Sequence, residues 1–356
     1  MANKSLRYHF FHYLCNIMQR IAIFIIILAM LSSCAKKRTE PGKERFVTDV
    51  MLKTTPVKDQ GKSPLCWVYA MLATIETQHI MQGDSVNLSP SFVARQILKA
   101  KTVSAFLTRR PTSISMRGMA PGLIHLIGAY GLNQYDAFQG NAQCDYGTLT
   151  RKLALLASSA RSLQQLSAQA DKLLDDNIQP MAKGVYLYGA TYTPVQFAHS
   201  VCRDDEYEGF TSFTHHPFGA PFILEVPDNN FQDSYMNVPI DSLLTLITST
   251  IKSGHPVCWE GDITEPGFRY DLGTATLTTG QQPVTQQTRQ QDFENKRTTD
   301  DHCMEICGLA HDQNGQPFFI MKNSWGASNR YGGFMYVSYD YVKAKTICVM
   351  VPQLVP

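Results

Sequence analysis

An α+β fold with two lobes meeting at a cleft is the architecture the sequence predicts, and three observations predict it. The first half carries apolar residues at helical spacing. The second half carries short apolar runs between turn residues, and the two patterns are segregated along the chain. Of the 356 residues, 44% are hydrophobic, enough for one large domain or two lobes sharing a cleft. The charge is nearly balanced, 32 basic against 30 acidic residues for a formal net of +2, so no basic surplus points to nucleic acid and no acidic block to a disordered tail.

The N-terminus stands apart. Residues 21–31 are almost purely apolar, preceded by Arg20 and followed by Leu31-Ser32-Ser33-Cys34. Eleven residues are too few to span a bilayer, which takes about 20, but match the apolar region of a secretory signal. Small residues leading into a cysteine directly after such a run resemble the lipobox of bacterial lipoproteins. The resemblance implies cleavage before Cys34 and a lipid on its sulfur; an ordinary signal peptide with an incidental cysteine is the alternative. Residues 1–33 are then a signal peptide (Met18 offers a tidier start), 34–50 a linker and 51–356 the folded domain, mainly helical over 51–208 and mainly β over 209–356. The chain is expected to be exported to the cell envelope and held on a membrane through Cys34. Ala35-Lys36-Lys37-Arg38 puts no acidic residue directly after Cys34, which favours the outer membrane by analogy with lipoprotein sorting.

Along the domain, apolar residues at 68, 71, 72, 75 and 79–80 predict a helix over 66–81 that stops near Gly83. Ser89 followed by Pro90 reads as an N-cap and first helical position. Residues 122–130 form a further apolar helix ended by Gly131. Residues 147–176 read as one longer helical region, and 194–202 as a short helix. After about 209, the runs 221–226, 256–259, 318–322 and 333–337 predict strands, with one helix over 241–252 between them. The Thr- and Gln-rich stretch 273–300 reads as a long surface loop.

Nine cysteines occur. Setting aside Cys15 in the leader, Cys34 and Cys66, the rest show no dense disulfide framework, and pairing cannot be read from spacing. Cys303 and Cys307 lie in His302-Cys303-Met304-Glu305-Ile306-Cys307, which reads as a buried strand rather than a metal pair. No metal or other cofactor is expected.

Hydrolysis by a thiolate needs a nucleophile of depressed pKa, a base beside it, a group orienting the base and donors for the oxyanion. Cys66 opens the predicted helix 66–81, where free N–H groups and the helix dipole stabilise a thiolate. Alone it reads more readily as a buried core cysteine. Its neighbourhood decides otherwise: Pro56-Val57-Lys58-Asp59-Gln60 comes six positions before Cys66-Trp67, and far downstream Asp301-His302 is followed by Asn323-Ser324-Trp325-Gly326. The set, in this order, resembles the papain-like cysteine peptidases. The resemblance implies a papain-like fold, with the helical left lobe carrying Cys66 and the β-rich right lobe carrying His302. It implies that Gln60 holds the oxyanion, that Asn323 orients His302, and that Trp325 shields their bond from water.

The segment Gly209-Phe210-Thr211-Ser212-Phe213-Thr214-His215-His216-Pro217-Phe218-Gly219 and the run His255-Pro256-Val257-Cys258-Trp259 are similar to the bleomycin hydrolase and aminopeptidase C branch. His215 and His216 are expected to be a structural turn feature. Three departures are visible. Ser63-Pro64-Leu65 replaces the usual Cys-Gly-Ser lead-in; Pro64 removes a backbone donor and Leu65 adds bulk near the nucleophile. No C-terminal arm follows residues 349–352, which weighs against aminopeptidase activity and hexamers. The middle region is short. The expected function is peptide hydrolysis on peptide or protein substrates through Cys66 and His302. A catalytically silent, lipid-anchored peptide-binding protein of the same fold is the alternative. Oligomeric state is not legible.

Overall fold

The structure, a computed structural model, describes residues 46–110, 114–187, 189–278 and 283–353. The leader, Cys34 and the linker up to residue 45 lie outside the described residues. No described helix is long and apolar enough to cross a membrane.

The described chain begins with β1 (Val47–Met51) and continues through α1 (Cys66–Met81), α2 (Pro90–Thr108), α3 (Ala120–Tyr130), α4 (Tyr146–Ser159) and α5 (Leu163–Asn177). A hairpin of β2 (Val185–Leu187) and β3 (Ala190–Tyr192) and the short α6 (Pro194–His199) close the helical half. Then come β4 (Tyr207–Thr211), β5 (Pro221–Ile223), β6 (Ser234–Asn237), α7 (Ile240–Lys252), β7 (Val257–Gly261), β8 (Phe268–Arg269) and β9 (Thr274–Ala275). The chain finishes with α8 (Gln286–Glu294), β10 (His302–His311), β11 (Pro317–Lys322), β12 (Phe334–Ser338), α9 (Tyr339–Lys345) and β13 (Thr346–Pro352). Mixed helix and sheet, helices first and strands after, is the α+β segregation expected.

Among the described residues, eleven strands form one sheet in the order β5-β6-β4-β13-β7-β10-β11-β12-β9-β8, with β1 added beside β10. The central strands β13, β7, β10 and β11 are antiparallel neighbours. Because side chains alternate along a strand, each central strand feeds two cores. Cys258, Cys303 and Cys348 point into the core shared with the helices. Their neighbours Trp259, Met304 and Val349 point into a second core with α7 and α9. α1 lies against the first face, buried on nearly all sides from Trp67 to Gln78. It is the central helix of the molecule rather than the one-sided helix its stripe suggested.

Several local expectations hold for the expected reason. Ser89 caps α2 by accepting the Phe92 N–H at 3.0 Å, with Pro90 in the first turn. Gly131 ends α3 with φ +78°, and a Cβ there would stand 2.1 Å from the Pro194 carbonyl carbon, so only glycine fits.

Four expectations need correction. The linker does not run to residue 50: Val47–Met51 pairs with Gly308–His311, taking up the edge of β10 beyond the point where β7 ends. The helical region 147–176 is two helices, because Ser162 starts a new one by accepting the Gln165 N–H at 3.2 Å. The supposed loop 273–300 contains β9 and α8. There Arg289, 1% exposed, donates to the carbonyls of Ser212, Lys343 and Ala344, so its polarity serves buried contacts. The run 349–352, not among those expected as strands, belongs to β13, at the centre of the sheet.

Candidate active site

Cys66 is the first residue of α1. The preceding residue, Leu65, makes no side-chain cap, so the first amides of the helix are not engaged by a capping side chain. Those N–H groups and the positive helix end face the half-buried Cys66 thiol. Leu65 itself is 1% exposed and packs in the core, so its bulk does not fill the cleft as expected; Pro64 does line it.

His302 opens β10 and is buried. Its Nε2 donates to Asn323 Oδ1 at 2.9 Å. The amide orientation of Asn323 is fixed because the same oxygen accepts the Ser324 N–H at 2.7 Å. That bond keeps a proton on Nε2, pointed at Asn323 Oδ1, and leaves Nδ1 free to face the cavity. The Trp325 ring lies 4.8 Å from the imidazole, and Tyr270 pins it by donating to the Trp325 and Gly326 carbonyls at 2.8 and 2.9 Å. The loop before His302 is braced as well: Asp262 accepts the Thr299 N–H, and Asp301 accepts the Ile263 N–H.

Gln60 reaches the same place along another path. Residues 58–60 run beside the Asn323 loop, with Gln60 N–H on Ser324 O at 2.8 Å and an isolated bridge between Asp59 and Trp325. The Gln60 amide is anchored at both ends. Its Oε1 accepts from Ser324 Oγ at 2.6 Å and its Nε2 donates to Ser63 O at 2.8 Å. A primary amide has two N–H groups, so a second donor remains for an oxyanion. Gln60, Cys66, His302 and Trp325 line one cavity of about 190 Å³.

A buried ionic network holds the helix to the strands. Glu76, on α1, accepts from Thr55 Oγ1, from Lys58 Nζ at 2.6 Å and from the Leu88 N–H at 2.6 Å. Lys322, next to Asn323, donates to Thr55 at 2.8 Å and lies 3.7 Å from Glu305 on β10. Helix α1, which carries Cys66, is thereby tied to the strands that carry His302 and lead to Asn323.

Hydrogen bonds from Cys303 and from His302, with the charge of the imidazole, hold the Cys66 thiol well below the ordinary thiol range despite its burial. Burial moves the other thiols on this sheet face the opposite way: Cys258, Cys303 and Cys348 are all pushed well above it.

Sequence reasoning missed Cys303, Arg117, Glu260 and Asp300 as residues of the cavity. The available signal was Glu260 itself, a carboxylate within the strand Val-Cys-Trp-Glu-Gly, all five residues of which are buried. His215 and His216 stand at a turn, as expected, both bonded to Glu225. These three side chains could in principle hold a metal ion. However, the Thr214 N–H on Gln290 Oε1 directs Gln290 Nε2 at His215 Nδ1, 3.0 Å away. The proton of His215 therefore sits on Nε2, facing Glu225, which is the wrong tautomer for a ligand there.

The α+β fold thus gathers Gln60, Cys66, His302 and Trp325 at one cavity. Residues 185–354 match the model of the Peptidase C1-like family. Among solved structures, the chain is similar to PepW from Lactobacillus rhamnosis HN001, with 17% identity and a TM-score of 0.66 over 86% of this chain and 82% of that one. It also aligns with the bromelain protease of Ananas comosus in complex with the E64 inhibitor, at 15% identity and a TM-score of 0.41 over 85% of this chain and 94% of that one. Procathepsin L 3 of Tenebrio molitor larval midgut aligns at 16% identity and a TM-score of 0.43, over 88% and 72% of the two chains. No curated protein sequence matches.

Proposed function

We propose that the protein is a cysteine peptidase that hydrolyses peptide bonds through Cys66 and His302. The observation that carries this reading is the convergence on one cavity of Cys66, at the start of α1, with His302, held by Asn323, and the Gln60 amide. The Cys66 thiolate attacks the substrate carbonyl. The Gln60 Nε2–H and the Cys66 backbone N–H receive the oxyanion. His302 protonates the leaving amine, the C–N bond breaks and an acyl-enzyme forms. His302 then takes a proton from water, which attacks the thioester and releases the acid. Asn323 keeps the imidazole in the ring orientation both steps need.

Hydrolysis of N-terminally blocked against free peptides separates an endopeptidase from an aminopeptidase. In this reading the enzyme works in the cell envelope of a bacterium, anchored by lipid on Cys34. The test of the chemistry is Cys66→Ala, which is expected to lower turnover at least about a thousandfold while leaving the thermal melt in place. An epoxide peptide should label Cys66 of the unaltered protein. Unchanged hydrolysis in the alanine variant would refute the assignment. Failure of the epoxide to label would favour the silent peptide-binding alternative.

A further inference from the structure

The cavity beside Cys66 has a charge imbalance that the hydrolytic steps do not use. Asp228, Glu260, Asp300 and Asp301 line it, with Arg117 as their basic counterpart. That arginine is committed. Its Nε donates to Asp228 Oδ1 at 3.0 Å, a second nitrogen lies 2.6 Å from Asp228 Oδ2, and the same nitrogen donates to the Asp300 carbonyl at 3.0 Å. His302 is committed to the nucleophile and to Asn323. Glu260 therefore lines the cavity with no cation acting on it, and Asp300 and Asp301 feel only Arg117 and His302, which are held by other partners.

The position of Glu260 follows from strand register. It is 2% exposed on β7, directly opposite Cys303 on β10 and Cys348 on β13. It thus stands on the sheet face that meets Cys66, where Cys348 donates to its Oε2 at 3.6 Å. The Asp300 carboxyl meets that of Glu260, carboxyl to carboxyl, and the buried Oδ2 of Asp301 finds no hydrogen-bond partner among the described residues. Carboxylates taken out of water without a counter-charge are costly. Protons relieve that cost: burial, then the charge of Asp300 and the hydrogen bond to it, push Glu260 well above the usual carboxylate range, and burial raises Asp300 to about 6. An ammonium or guanidinium entering the cavity would relieve it better.

We propose that Glu260 and Asp300 form a cation-binding subsite that selects peptides carrying an ammonium or guanidinium group next to the scissile bond. The claim rests on the peptidase reading and narrows it to a substrate class. Two substrate groups share this chemistry, the side chain of lysine or arginine and a free α-amine. Asp228, with Arg117 on it, closes one wall. Gly118 keeps another open to the Trp67 ring, since a Cβ there would lie 2.9 Å from that ring.

The test uses the full-length protein and two matched substrate sets. In one, lysine or arginine beside the scissile bond is exchanged for norleucine or citrulline in N-acetylated peptides. In the other, a free α-amine is compared with its acetyl form. The expected result is a preference of about tenfold or more in kcat/KM for the cation in at least one set, which identifies the source. In Glu260→Gln and in Asp300→Asn that preference falls to within about threefold, while hydrolysis of the neutral peptides stays within about threefold of the unaltered protein. Either variant suffices if the other does not fold. Absence of any preference, or a preference that survives both substitutions, overturns the subsite. A readout independent of hydrolysis keeps this separate from the peptidase reading: the rate at which Cys66 reacts with trimethylammonioethyl against methyl methanethiosulfonate, followed by mass spectrometry. A cation-to-neutral ratio that drops in the two variants supports the subsite even if no peptide is cut. A ratio indifferent to them overturns it.

Discussion

Replacing Asn323 with alanine removes one acceptor, and its effect can be worked from the site. In the intact protein the His302 Nε2–H has Asn323 Oδ1 at 2.9 Å as its partner, and His302 is 3% exposed beneath Trp325. The truncation leaves that N–H facing a small void. A hydrogen bond to a charged group contributes about 1.5–3 kcal/mol, and the imidazolium form, which the thiolate pair requires, gains most from it. The loss converts to a fall of about 10- to 150-fold in kcat/KM, well short of the loss in Cys66→Ala. The same change disfavours the thiolate–imidazolium pair against its neutral form. The pH at which iodoacetamide begins to alkylate Cys66 should therefore rise in the variant. The assay is steady-state hydrolysis together with the pH profile of Cys66 alkylation. A rate within about threefold of the unaltered enzyme and an unmoved alkylation profile would refute the orienting role of Asn323.

Two further outcomes are expected. Gln60→Ala removes a side-chain oxyanion donor and should cut kcat by about 10²- to 10³-fold with little change in KM, measured on the same peptides. The stability of the fold should fall as pH rises through the region where Asp300, raised to about 6, and Asp301, raised to about 7, lose their protons. The sign follows because both values lie above that of an unfolded aspartate, about 3.9, so the folded state holds protons that the unfolded chain releases. Their stabilising protonation is fully present below the unfolded value and is lost as pH passes the folded one. Denaturant midpoints from acid to neutral pH should show this decline weakened in Asp300→Asn, by on the order of 2 kcal/mol at neutral pH; an identical profile in the variant would contradict it.

Much of the site was readable because its signals are local. A cysteine at a helix start, Ser89 before Pro90, and the run Asn323-Ser324-Trp325-Gly326 each name a conformation or a chemistry within a few residues. Two of the misreadings share one cause. Residues 47–50 lack the long apolar run of a central strand, and 286–294 are polar apart from Phe293, yet both are ordered by partners far away: Gly308–His311 for the first, and the carbonyls of Ser212, Lys343 and Ala344 for the second. Likewise the sequence offered Glu260 and Asp300 as two more carboxylates among 30 acidic residues, with nothing to place them beside Cys66.

The sequence by itself thus determined the α+β class, the starts and stops of most helices, and which residues to look for at one cavity. Only the tertiary structure decided that β1 and β13 join the sheet, that Gln60 lies along Ser324, and that Cys66 shares its cavity with an acidic wall. Helix caps and turns are set by neighbours a few bonds away. Strand register, and with it the face on which every second side chain stands, is fixed only when distant segments pair and bury their apolar sides together.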